Sequence, residues 1–145
     1  MANDYGQNCL YRNDGGRFVN VAADAGVVDY GSGMSVSWAD YNRDGQVDLY
    51  VGNMFSSAGN RITRQTQFKA GKDARVQARF QRFSKGNSLF ANLGDGMFRD
   101  VGAEAAVEMG RWAWGSLFAD INNDGWQDLL IGNGYITGDD TTGDL

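Results

Sequence analysis

Two nine-residue stretches of this chain place side-chain oxygens at fixed intervals: Asp40-Tyr41-Asn42-Arg43-Asp44-Gly45-Gln46-Val47-Asp48 and Asp120-Ile121-Asn122-Asn123-Asp124-Gly125-Trp126-Gln127-Asp128. Both read D-x-N-x-D-G-x-x-D, and they lie eighty residues apart. Oxygens recur at positions 1, 3, 5 and 9, with glycine at position 6. A hard cation such as calcium takes about 6–8 oxygen ligands, and this spacing offers them. In the first loop Asp40, Asn42, Asp44 and Asp48 can supply side-chain oxygens and Gln46 its backbone carbonyl. In the second the set is Asp120, Asn122, Asp124 and Asp128, with the carbonyl of Trp126. Two Ca2+ sites are therefore expected. Gly45 and Gly125 permit the sharp turn that lets successive ligands face inward. Three carboxylates crowded around one point repel strongly, so folding and calcium binding should be coupled.

An EF-hand would need a bidentate Glu at loop position 12 and a helix on each side. Position 12 is Val51 in one loop and Ile131 in the other, each inside a run that reads as a strand. Both an EF-hand and a helical dockerin fail on these grounds. The plain alternative is a solvent-facing Asp-Gly hairpin that merely favours turns. Two complete matches weigh against it.

The elements that must carry these loops follow from alternation. Val47, Leu49 and Val51 alternate with Asp48 and Tyr50, as in a half-buried strand. Val36 and Trp38 precede the first loop in the same manner, and Leu117, Ala119 and Ile121 precede the second. Each carboxylate loop thus joins two strands as a hairpin. Residues 9–12 and 87–91 read as a third strand, 17–21 and 97–101 as a fourth, with glycine-rich turns between them. Residues 8–53 superpose on 87–133 with one insertion, Asp95, giving 19 identities over 46 positions. Such an internal repeat marks stacked units, none of which buries its apolar face alone. Four short antiparallel strands per repeat predict an all-β fold, a partial β-propeller of about two blades.

The expected organisation is a single propeller fragment over 1–145. Residues 1–21 end one blade, 34–101 form a complete blade with an insertion at 54–86, 115–133 begin the next, and 134–145 are a tail. A propeller closes with about 4–8 blades. The remaining blades are accordingly expected elsewhere in a full-length protein. Within the insertion, Val76, Phe80 and Phe83 fall at i, i+4 and i+7. With Asp73 as N-cap and Gly86 as terminator, they predict a short amphipathic helix around 73–84.

Composition narrows the chemistry. The chain has no histidine and one cysteine, Cys9, which excludes Ser-His-Asp and Cys-His catalysis, imidazole zinc sites and an internal disulfide. Its 21 glycines and absence of proline suit a protein rich in tight turns. Nothing resembles a membrane span, and no signal peptide is visible in this chain. The net charge of −5 is uneven: residues 61–85 hold eight of the thirteen basic residues and one acid, Asp73. That segment lacks a nucleic-acid-binding motif and sits in an otherwise acidic chain, so a solvated face or a helix docked on an acidic rim is expected, and no nucleic acid.

The string Asn8–Phe18, the loops ending in Asp-Leu-Tyr-Val-Gly-Asn (48–53) and Asp-Leu-Leu-Ile-Gly-Asn (128–133), and their order resemble FG-GAP-like or VCBS repeats, the integrin-α-type β-propeller modules. Residues 54–61 and 109–115 look like the bacterial subgroup that resembles cartilage acidic protein, whose members commonly carry an ASPIC/UnbV domain after the propeller. The resemblance implies a calcium-bound, extracytoplasmic module, periplasmic, secreted or at the cell surface. Cell adhesion, with a protein or glycan ligand, belongs to the same implication. No enzymatic activity is expected, and no catalytic residue or further cofactor is assigned. The alternative is a carbohydrate-binding or polysaccharide-active, calcium-dependent propeller. Trp112 and Trp114 could serve such a role, although packing between blades is the commoner use of paired indoles, and Trp38 reads as core.

Overall fold

The structure, a computed structural model, describes residues 1–134. Ten elements follow in order: β1 (Tyr11–Asp14), β2 (Arg17–Asn20), β3 (Gly33–Ala39), β4 (Asp48–Asn53), α1 (Ser57–Thr63), α2 (Ala74–Lys85), β5 (Ser88–Asn92), β6 (Phe98–Asp100), β7 (Ala113–Ala119) and β8 (Asp128–Asn133). They form three antiparallel sheets, ordered β1-β2, β3-β4-β5-β6 and β7-β8. This is the partial, propeller-like all-β arrangement, with the four-stranded sheet in the middle. The expected tail at 134–145 lies, apart from Gly134, outside the described residues.

Each hairpin has a local cause. Gly15 (φ 65°) and Gly16 (φ 97°) make the two-residue left-handed turn that matches strand twist, so Asp14 pairs with Arg17. The first strand of that hairpin therefore starts later than its apolar residues suggest, at Tyr11 rather than Cys9. The nine-residue loops join β3 to β4 and β7 to β8, which pair from Ala39–Asp48 and Ala119–Asp128 outward. A bulge interrupts both pairs at the same place, between Gly33 and Ser35 and between Ala113 and Gly115. The repeat thus extends to the irregularities of the backbone.

The core lies on both faces of the central sheet. Leu49, Val51 and Phe90 pack with Ala22, Ala25 and Val27 from the connection after β2. On the other face Tyr50, Leu89, Ala91 and Val101 meet Phe118, Leu129 and Ile131. Each large apolar side chain so buried contributes roughly 1.5–3 kcal/mol. Every residue of β4 is buried, which corrects the expectation of a half-buried strand: Tyr50 packs against the neighbouring β7–β8 unit, and Asp48 is enclosed by the N–H groups of Tyr41 and Asn92. Trp38 departs in the opposite sense. It is 46% exposed, touching Phe98 edge-on at 6.2 Å. The β1–β2 unit and its connection cover β4 and β5 but leave this face of β3 open among the described residues.

The insertion is a pair of helices. Asp73 caps α2 by accepting from the Arg75 N–H at 2.8 Å, and Gly86 (φ 101°) ends it, where any Cβ would strike the Glu108 carbonyl. The preceding helix α1, which no periodicity predicts, is capped by Ser56, whose Oγ accepts from the Gly59 N–H at 3.0 Å. Asn60 donates to the Ser84 carbonyl at 2.6 Å and Gln81 to the Thr63 carbonyl at 3.2 Å, tying the two helices together. The pair is then pinned to the blade. Arg82 reaches the fully buried Asp29 at 2.6 Å, and Lys85 reaches Glu108 at 2.6 Å. Asp29 also accepts from Asn53 at 2.9 Å, from Ser88 at 2.8 Å and from the Gly31 N–H at 2.8 Å. The docking of the insertion thus includes ion pairs to acidic groups of the rim.

Candidate cation-binding loops

The two nine-residue loops fold by their own side chains. In the first, Asp40 accepts from the N–H groups of Asp44 at 3.0 Å and Gly45 at 2.9 Å. Asn42 Oδ1 accepts from the same Asp44 N–H at 3.1 Å, and its Nδ2 donates to Asp44 Oδ2 at 2.8 Å. Asp44 Oδ1 in turn accepts from the Gln46 N–H at 2.8 Å. Arg43 (φ 59°) and Gly45 (φ 85°) take the left-handed conformations that curl the backbone around these oxygens. Asx-turns of this kind compete successfully with strand pairing, which is why the ladder stops at Ala39 and Asp48.

The second loop reproduces the set. Asp120 accepts from the Asp124 and Gly125 N–H groups at 3.1 and 2.7 Å, Asn122 bonds Asp124 in the same two ways, and Asp124 accepts from the Trp126 N–H at 2.8 Å. Asn123 (φ 58°) and Gly125 (φ 84°) repeat the left-handed pair.

The ninth-position carboxylates differ in their surroundings. Asp48 is buried, accepting from the Tyr41 N–H at 3.1 Å and from the Asn92 N–H of β5 at 2.8 Å. Burial pushes its carboxyl above the usual range, the two N–H donors pull it back, and the Asp44 and Asp40 charges push it further up. Asp128 accepts from the Ile121 N–H at 3.0 Å and is only half-buried. In the second loop the Asp124 carboxyl is held below the usual range by the Trp126 N–H, by Asn122 and by the nearby Arg43 charge. Arg43 leaves its own loop: its Nη2 donates to the Gly125 carbonyl, and its guanidinium lies 4.3 Å from the centre of the Trp126 ring.

Among the described residues no three Asp, Glu, His or Cys side chains converge on one point. Each loop instead brings together two carboxylates and one amide, while the position-9 carboxylate is engaged with backbone N–H groups. All are oxygen donors of the hard class that calcium takes, and none is a nitrogen or sulfur. The residues fit such an ion in chemistry. Position 12 falls on Val51 and Ile131, inside β4 and β8, so the structure has no place for an EF-hand glutamate. Two participants were not legible as such. Asn92 braces the first loop from 44 residues away, donating also to the Val47 carbonyl at 3.0 Å. Its recurrence with Asn13 in the repeat was the available signal. Arg43 had none.

A family model described as FG-GAP-like repeat matches residues 1–51 and 78–131 of the chain. The chain belongs to the FG-GAP-like repeat family. The match breaks across most of the helical insertion and resumes within α2, so the family pattern covers the sheets and loops and leaves α1 outside. Cartilage acidic protein 1 of Homo sapiens and of Mus musculus are each 51% identical to the chain over 53 residues, and that of Xenopus tropicalis is 49% identical over the same length. Those stretches cover 35% of this chain and 8% of each relative. The FG-GAP-like chain thus matches a small part of much longer proteins.

Proposed function

We propose that this chain is a calcium-binding structural or interaction module of an extracytoplasmic β-propeller, without enzymatic activity. The observation that carries the reading is the duplication of one oxygen cage. Two loops eighty residues apart share the D-x-N-x-D-G-x-x-D pattern, the left-handed positions and the hydrogen bonds that Asp, Asn and Asp make within them. Asp40, Asn42, Asp44, Asp48 and the Gln46 carbonyl would hold one ion, and Asp120, Asn122, Asp124, Asp128 and the Trp126 carbonyl the other. The ion's contribution is mechanical: it neutralises the clustered carboxylates and fixes each β-hairpin at its blade edge. Residues 34–101 form the complete blade in this reading, flanked by 1–21 and 115–133, with further blades in a longer protein. The likeness to cartilage acidic protein 1 supports the extracellular setting.

Sites of this class bind calcium with Kd values of about 10⁻⁴–10⁻³ M. At a hundredfold excess over Kd, binding to the native state alone adds about 2.7 kcal/mol to stability. Added calcium should therefore raise Tm, and a chelator should lower it again. Asp44→Ala and Asp124→Ala should each remove one site from a calorimetric titration and leave the other. Melting that ignores calcium, with no heat of binding, would retire the proposal.

A second reading, carbohydrate binding, draws on the indole pair Trp112 and Trp114, edge-to-face at 6.2 Å with Trp114 49% exposed. Exposed indoles present the flat apolar surface that sugars stack on. Retention on a glycan array that Trp114→Ala abolishes would favour it, and silence across the array would dismiss it.

A further inference from the structure

We propose that Arg43 of the first loop sets the cation affinity of the second, making the second loop the weaker of the two sites. The proposal rests on the calcium reading and adds an asymmetry to it. Arg43 occupies position 4, which supplies no ligand in the pattern, and its side chain is free to act elsewhere. It acts on the second loop at two neighbouring points: Nη2 donates to the carbonyl of Gly125, position 6, and the guanidinium rests 4.3 Å from the indole centre of Trp126, position 7. A hydrogen bond and a cation–π contact together hold the charge in place rather than letting it sweep through solvent. The position-7 carbonyl is itself an expected ligand, so the fixed positive charge stands beside the cage. The counterpart of Arg43 in the second loop is the uncharged Asn123, with the same backbone conformation (φ 58° against 59°). Nothing equivalent is therefore returned to the first loop by its partner.

A unit charge held several Å from a dication opposes it by about three- to tenfold in affinity, even in near-aqueous dielectric. Arg43 lies within its own loop too, but its guanidinium is carried away from that cage onto the other. The first loop should feel it less. The arrangement makes the two ions bind in sequence, first loop before second, and widens the calcium range over which the module stiffens.

Terbium alone is the probe for the test, with luminescence sensitised by the Trp126 indole, the sole tryptophan within either nine-residue loop. Calorimetric titration with calcium gives the second readout. Each loop is isolated in the full chain, the second by Asp44→Ala and the first by Asp124→Ala, and each background then receives Arg43→Asn or Arg43→Lys. Asn is the second loop's own residue at this position and tolerates the left-handed backbone, so the variant keeps the fold. Arg43→Asn should tighten the second loop about three- to tenfold and move the first by less than twofold. Arg43→Lys, which keeps the charge, should stay near the parent, and the gap should shrink as salt rises. Second-loop affinity that is unchanged or weakened by Arg43→Asn overturns the proposal while leaving calcium binding intact. Absence of terbium and calcium uptake by the parent chain would instead overturn the calcium reading, and this proposal with it.

Discussion

The two copies of the 46-residue pattern keep the same oxygen cage and differ in what surrounds it. In the first copy, Asp48 is sealed beneath β5 and held by an amide from Asn92, and the strand after the loop ends on Asn53, which bonds Asp29. In the second, Asp128 accepts from the Ile121 N–H of its own loop among the described residues, Asn133 donates to the Gly110 carbonyl at 3.3 Å, and the position of Asp29 is taken by Met109. A repeated sequence therefore specifies the loop, and in the first copy the third strand of the same sheet, β5, adds a brace on its ninth residue. The difference also locates the insertion. Its anchor, Arg82, finds a carboxylate only where the first copy supplies one.

The largest effect expected of any substitution that breaks this comparison is at that anchor. Arg82→Ala leaves the Asp29 carboxylate buried with three neutral donors and no counter-charge, which should cost about 3–5 kcal/mol in urea unfolding. Asp29→Asn in the same background should return a good part of it, giving a coupling energy well above the error of a double-mutant cycle. Additive single effects would mean that the ion pair does not seat the helices. A smaller effect separates the loops themselves. Asp48→Ala strips acceptors from two buried-side N–H groups, Tyr41 and Asn92, for about 2–4 kcal/mol, measured without calcium so that ion binding does not enter. Asp128→Ala removes one acceptor at a half-buried site and should cost about 1 kcal/mol. Equal losses at the two positions would show that the surrounding blade contributes nothing.

These contrasts explain what could and could not be read from the chain beforehand. The strand pairs, the hairpin loops and α2 were legible because each is signalled locally: alternation, D-x-N-x-D-G, and an Asp73-to-Gly86 frame around Val76, Phe80 and Phe83. Helix α1 was not, since its seven residues include Gly59, carry no apolar stripe, and are held by Asn60 and Thr63 contacts to α2. The burial of Asp48 and Tyr50 was hidden for a different reason. An alternating strand looks the same whether its polar side faces water or a second sheet. The exposure of Trp38 likewise depends on how far the β1–β2 unit reaches, a matter of packing between units that no residue in β3 encodes. At the candidate site the loop residues were legible one by one. Their braces, Asn92 and Arg43, act across 44 and 82 positions and were not.

The smallest difference expected between the loops is also the most selective. Gly45 and Gly125 share a left-handed backbone, φ 85° and 84°, so alanine at either position meets the same intrinsic strain of about 1–2 kcal/mol. What an added methyl would touch is not the same. At Gly45 it enters open space, whereas at Gly125 it runs into the Arg43 guanidinium. That guanidinium ends a flexible side chain and can swing aside, so the extra cost is the lost hydrogen bond and ring contact, a few tenths of a kcal/mol to about 1 kcal/mol. Gly125→Ala should accordingly unfold at slightly lower urea than Gly45→Ala. In an Arg43→Asn background the two should coincide. If the gap persists there, Arg43 is not what distinguishes the loops.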